Sequence, residues 1–269
     1  MINRKCVLAS GIAAAVFAMS SVSAANLQTS SVSPVAQPNF PAPNGGSVVL
    51  YDQTDNAAGN GVPNQNFESS YDAYDAEGAD DFVVPAGGWT IDTVNLVSTI
   101  GTPIVTTAKV NIYTDAGGVP SATTSCSAPA AVANVTATNT TITLGAPCSL
   151  AAGTYWLAVQ TDVNFGTNGQ VFWSNRTTQT GNQSVWVNPG DGFASGCTTF
   201  TPVITCGVGG GTNPDLLFQL IGVVGGGGGG DIPLGPVQEL PTLGQWSMLF
   251  GAFGLAMLGM FGLRRRSRL

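Results

Sequence analysis

Val110-Asn111-Ile112-Tyr113-Thr114-Asp115-Ala116-Gly117-Gly118-Val119-Pro120 is the stretch whose reading decides the fold. Val110 and Ile112 alternate with Asn111 and Tyr113, the period of two that a half-buried strand requires. Asp115-Ala116-Gly117-Gly118 then supplies residues that tolerate positive φ, so the strand predicted over 109–114 ends in a tight turn. Working outward, similar runs predict strands over 48–52, 81–84, 90–98, 140–144, 154–160, 170–174, 184–188 and 215–221. In 90–98 the alternation slips between Ile91 and Val94, which predicts a bulge near Asp92. No stretch between these strands longer than a turn carries helical periodicity. The spacing and the Gly, Pro and Asn punctuation predict an all-β protein, an antiparallel, jelly-roll-like sandwich with one wet face per strand.

Composition narrows what such a sandwich can do. The chain has 269 residues, 8 Lys+Arg against 15 Asp+Glu, no histidine, and only 9% charged residues. Without an imidazole, Ser-His-Asp hydrolysis, Cys-His proteolysis and His-ligated zinc are excluded. Between Ala25 and Gly230 two cations, Lys109 and Arg176, stand against 13 acids (all but Asp231 and Glu239), a net charge of −11. Such a surface repels nucleic acid and anionic lipid.

Both ends read as addresses. Arg4 and Lys5, an apolar run from Val7 to Met19, and Val22-Ser23-Ala24 have the order of a secretory signal peptide over 1–24, with cleavage after Ala24. At the other end 246–263 is 18 residues without a charge, about 27 Å of helix and enough for one transmembrane span. Arg264, Arg265, Arg266 and Arg268 follow at once and act as the membrane stop, keeping the tail cytoplasmic. Directly before the span stands Leu240-Pro241-Thr242-Leu243-Gly244-Gln245-Trp246. With short motif, apolar span and basic cluster in that order, 240–269 resembles the IPTL-CTERM sorting signal, a relative of PEP-CTERM, carried by Leu240, Pro241, Thr242, Leu243 and Trp246. The resemblance implies an exosortase-type membrane protease as processing partner and a final place at the cell surface or in an exopolysaccharide matrix.

Between the addresses, 25–47 is an uncharged, Pro-rich flexible leader, and 225–239 opens with six glycines and reads as a stalk. The folded ectodomain is therefore expected over 48–224. Ala79-Asp80-Asp81-Phe82-Val83-Val84-Pro85, the stretch quoted first, and Leu150-Ala151-Ala152-Gly153-Thr154-Tyr155-Trp156-Leu157 together resemble the β-sandwich ectodomains of secreted bacterial proteins called choice-of-anchor domains. That resemblance implies a fold and no activity. Cys6 leaves with the signal peptide, so Cys126, Cys148, Cys197 and Cys206 remain. Four cysteines in an exported chain imply two disulfides with three possible connectivities. Cys126 with Cys148 and Cys197 with Cys206 is preferred, because each pair brackets one local excursion.

Eight of the 15 acids fall between Asp52 and Asp81. Asp52, Asp55, Asp72, Asp75, Asp80 and Asp81 offer the hard oxygen ligands that Ca2+ takes, but the EF-hand spacing is missing and a solvated acidic loop is the competing reading. The turn Asn188-Pro189-Gly190-Asp191-Gly192 carries one further carboxylate. Trp89, Trp156, Trp173 and Trp186 with Tyr71, Tyr74, Tyr113 and Tyr155 could pack a core or stack on sugar rings. Tyr155 and Trp156 are neighbours in one strand, so one is expected inside and the other outside. The chain thus reads as an exported, non-enzymatic surface or matrix protein with a binding or structural role, perceived partners being a processing protease, the membrane and polysaccharide. The alternative is a carbohydrate-active hydrolase working through paired carboxylates, for which Glu68 and Glu77 are the ectodomain's two glutamates.

Overall fold

A computed structural model describes residues 27–32 and 39–225. The signal peptide over 1–24, the stalk beyond Gly225, the sorting motif Leu240, Pro241, Thr242, Leu243 and Trp246, the apolar span and Arg264, Arg265 and Arg266 lie outside the described residues. Among the described residues no helix is long and apolar enough to cross a membrane.

The strands, in chain order, are β1 (Ser31–Val32), β2 (Val48–Asp52), β3 (Ala57–Pro63), β4 (Gln65–Asn66), β5 (Glu77–Val84), β6 (Trp89–Thr99), β7 (Ile104–Asp115) and β8 (Pro120–Val135). They continue as β9 (Asn139–Leu150), β10 (Gly153–Asp162), β11 (Phe172–Arg176), β12 (Val185–Val187), β13 (Thr201–Pro202), β14 (Asp215–Leu216) and β15 (Phe218–Val224). Among the described residues helix is confined to a 3-10 turn over Ser69–Tyr74 and to two four-residue turns, α1 (Phe165–Asn168) and α2 (Val203–Cys206). The strands pair in the order β1-β3-β11-β6-β9-β8-β7-β10-β5-β12-β13, with β15 bridging β2 and β6, so one mostly antiparallel sheet curls round a shared core. Among the described residues the one parallel pairing is the two-residue match of β4 to β10.

The turn after β7 forms as its residues require. Gly117 and Gly118 have φ of 75° and 90°, and the Asp115 carboxylate accepts hydrogen bonds from both of their N–H groups. The expected bulge is also present: the β6–β9 register shifts between Ile91 and Thr93, around Asp92, and β15 shifts opposite it between Ile221 and Gly222. Gly222 is needed there, since a Cβ on it would lie 2.0 Å from the Thr90 carbonyl oxygen. Phe82, Trp89, Leu96, Ile112, Ile142, Leu157, Trp173, Trp186 and Phe218 fill the core, with the Phe82 and Trp89 rings stacked 6.3 Å apart.

Three features differ from the sequence reading. β3 and the 16-residue β8 lie in segments not predicted as strand. β3 is rich in Ala and Gly and β8 in Ala and Ser, residues of weak β propensity, and β8 takes its conformation from its pairing to β7. Pro129 has no ladder partner there, because the register shifts between Ala108 and Val110. The leader is also docked in part: β1 pairs with β3, the Gln28 N–H donates to Gln170 Oε1 at 2.9 Å, and the Asn139 side chain donates to the Asn39 carbonyl at 3.2 Å.

The third difference concerns Tyr155 and Trp156, which take opposite faces of β10 yet are both buried. Tyr155 enters the main core, while Trp156 packs with Ala79, Ala158 and Val185 under Phe200 and Tyr113. Phe200, from the chain between Asn188 and Cys206, helps cover Trp156 and Ala158 here, while Thr154, Gln160 and Asp162 of the same face stay partly exposed.

Candidate functional site

The acids of segment 52–81 separate into a buried group and a rim group. β5 carries Asp80 into the core and its neighbour Asp81 to the opposite face beside Trp156, both almost wholly buried. Asp80 Oδ2 accepts from Gln53 Nε2 at 2.8 Å and from the Leu216 N–H at 2.8 Å, and Oδ1 accepts from the Asp81 N–H. Gln53 also donates to the Leu216 carbonyl and accepts from the Tyr51 hydroxyl, so β2, β5 and β14 are tied through one amide. Asp81 is held by the backbone and side-chain N–H groups of Asn182. Asp215 on β14 completes this interior: its Oδ2 accepts from the Thr180 N–H at 2.5 Å and lies 3.7 Å from Arg176 Nη1. Arg176 itself turns to Asp55 at 2.8 Å.

Such enclosure sets the charge states. Burial, and after it the Asp215 charge, pushes the Asp80 carboxyl well above the ordinary carboxylate range. Burial pushes Asp215 up to about 7, although the Thr180 N–H and Arg176 favour its ionised form. Burial also raises the Tyr51 hydroxyl, with the Asp80 charge acting the same way. One Asp215 oxygen, Oδ1, is buried without a hydrogen-bond partner, as a protonated carboxyl tolerates better than a charged one.

The remaining acids sit at one end of the sheet or on its outer face. Glu68 accepts from the Phe165 and Gly166 N–H groups that open α1, at 2.7 and 3.2 Å. Asp75 accepts from the Phe67 N–H, and burial raises its carboxyl. Asp72 is exposed on the 3-10 turn. Around that turn Phe67, Tyr71, Tyr74, Phe165 and Phe193 pack ring against ring, the tightest pair being Tyr74 and Phe193 with centroids 5.1 Å apart. Glu77 pairs with Lys109 at 2.9 Å, and its carboxyl is raised by burial against the pull of that lysine. Asp52 accepts from the Thr54 N–H and from Gln219 Nε2.

The six aspartates offered as Ca2+ ligands are therefore not brought together. Asp80 faces the core and Asp81 the covered outer face beside Trp156, Asp55 pairs with an arginine, Asp72 and Asp75 lie at the rim and Asp52 on the outer face. Among the described residues no three His, Cys, Asp or Glu side chains converge in a way that could hold a metal ion. Glu68 and Glu77 are each engaged with a structural partner. Trp89, Trp156, Trp173 and Trp186 are all buried, so stacking on a ligand would fall to other rings. Asp191 serves a turn, with φ of 50° and its carboxylate accepting from the Gly196 N–H. Cys126–Cys148 and Cys197–Cys206 are bonded, as the spacing suggested. Asp215 and Gln53 were missed as members of the buried group; a charged residue opening the apolar run Asp215-Leu216-Leu217-Phe218 was the available signal.

No family model matches the chain, and neither does any curated protein. Among solved structures the chain is similar to the cysteine protease and lectin-like domains of Cwp84, a surface layer associated protein of Clostridium difficile, at 14% identity and a TM-score of 0.42. The match covers 65% of this chain and 35% of that one, so the chain spans about a third of that structure's length.

Proposed function

We propose that the protein is an exported, non-enzymatic component of the cell surface or extracellular matrix, a jelly-roll-like sandwich delivered by the signal peptide and released or anchored through its IPTL-type C-terminal signal. The observation that carries this reading is the pair of disulfides, Cys126–Cys148 and Cys197–Cys206, which belong to an oxidising compartment. The way the carboxylates are used supports the absence of catalysis: Glu68 caps a turn, Glu77 meets Lys109, and Asp80 and Asp215 are enclosed. The exosortase-type protease is the processing partner, and the matrix polysaccharide is the surrounding medium. The test is the intact mass of the protein from membrane and medium fractions of the producing cell. A species beginning near Ala25 and ending within 240–246 is expected; a membrane species that still ends at Leu269 overturns the sorting claim.

A further inference from the structure

On the outer face of the sheet a cross-strand row of polar side chains runs over five strands. Asp52 of β2 stands opposite Gln219 of β15, Gln219 opposite Asn95 of β6, Asn95 opposite Thr141 of β9, and Thr141 opposite Asn134 of β8. The next pair on the same face is Thr93 with Thr143. Adjacent strands lie about 4.8 Å apart and same-face neighbours along a strand about 7 Å apart, so Thr93, Thr143, Asn95 and Thr141 mark the corners of a small polar rectangle.

An open cavity of about 230 Å3 lies over this rectangle, walled on one side by the docked leader through Pro41 and Pro43. The wall is pinned where Ser47 Oγ donates to Asp92 Oδ2 at 2.5 Å. At the floor of the cavity Asn95 is fully buried, and its orientation is fixed: Nδ2 donates to Gln219 Oε1 at 3.1 Å, and Gln219 Nε2 donates on to Asp52. Asn95 Oδ1 is left with no hydrogen-bond partner. A buried amide oxygen in that position calls for a donor from outside the chain.

The chemistry of the walls selects the donor. Among the described residues no Lys or Arg lines the cavity, and the exported part carries a net −11, so an anion is disfavoured. The one carboxylate, Asp92, already accepts hydroxyl hydrogen bonds on both oxygens, from Ser47 and Thr93, and so does not call for a cation. The backbone groups of the central strands are spent in the ladder, which leaves no open edge for a peptide to extend. What remains is a set of hydroxyl and amide groups that both give and accept, beside the apolar faces of Pro41, Pro43 and Leu144. We propose that this cavity binds a neutral sugar ring, with a ring hydroxyl donating to Asn95 Oδ1. The volume is below the roughly 300 Å3 at which pockets begin to enclose drug-sized ligands, so one ring is seated and any longer glycan continues across the open face.

This rests on the matrix reading for the source of the sugar, but the two fail separately, because binding by the purified protein does not depend on how its C-terminus is processed. The experiment is calorimetric titration of the protein purified from the producing cell with glucose, galactose, N-acetylglucosamine and their β-linked dimers. Saturable, millimolar binding of at least one probe is expected. Thr143 is exposed, so Thr143→Trp fills the cavity without entering the core, and it should weaken that binding by about tenfold or more at unchanged melting temperature. Asn95→Ala should do the same by removing the acceptor; if it fails to fold, Thr143→Trp still decides. No binding of any probe, or binding untouched by Thr143→Trp, overturns the proposal.

Discussion

Asp215 shows how a single residue makes the fold sensitive to pH. Its carboxyl has an ordinary value of 3.8 and is pushed by burial to about 7 in the folded chain. A group that keeps its proton longer when folded favours the folded state at low pH. That advantage is complete below the unfolded value and is lost as pH rises through the folded one. Asp80 shifts in the same direction. The melting temperature should therefore fall between about pH 5 and about pH 8, the reverse of the usual salt-bridged carboxylate. The net negative charge pulls the same way, and Asp215→Asn separates the two effects: scanning calorimetry across that range should give a shallower decline for the variant. An equally steep decline would remove Asp215 as its source. None of this was legible beforehand, because Asp80 meets the Leu216 N–H across 136 positions and Asp81 meets Asn182 across 101.

The elements were legible wherever a local pattern specified them. The turn after β7 needs only Asp115 and two glycines in succession, and the bulge at Asp92 follows from a slip of alternation inside one strand. β8 had no such signal, since its Ala, Ser, Thr and Pro residues form a strand only through β7, and part of β9, beside them. The disulfides act at this scale too. Cys126 on β8 and Cys148 on β9 close a separation of 22 residues, whereas Cys197 and Cys206 close 9 around the excursion that covers Trp156. Restricting the unfolded chain scales with loop length, which gives about 3.5 kcal/mol for the longer bridge and about 2.5 for the shorter. Denaturant titration of the paired Cys→Ser variants should rank them in that order. The shorter bridge has a second readout, because its loss loosens the cover over Trp156 and should raise the access of acrylamide to tryptophan fluorescence. The 126–148 variant should leave that quenching unchanged.

At the scale of the whole molecule the curled sheet has an inner face with one core and outer faces treated differently. The outer face of β10 and β5 is covered in part, with Phe200 packed toward Trp156, whereas that of β15, β6 and β9 stays polar and partly open beneath the docked leader. The same curl disperses the acids, so Ca2+ added to the chelated protein should leave its melting temperature unchanged; a rise that saturates with Ca2+ would show that the carboxylates regroup. The sequence by itself determined the all-β class, most strand runs, the Asp115 turn and the Asp92 bulge, because each is specified by the period of two or by positive φ within a few residues, and it made one of three cysteine pairings the preferred one. Only the tertiary structure decided that Asp80 and Asp215 share the interior, that Trp156 is covered and that Asn95 is left short of a donor. Burial and hydrogen-bond satisfaction belong to residues far apart in the chain, and their partners exist only once the sheet has closed.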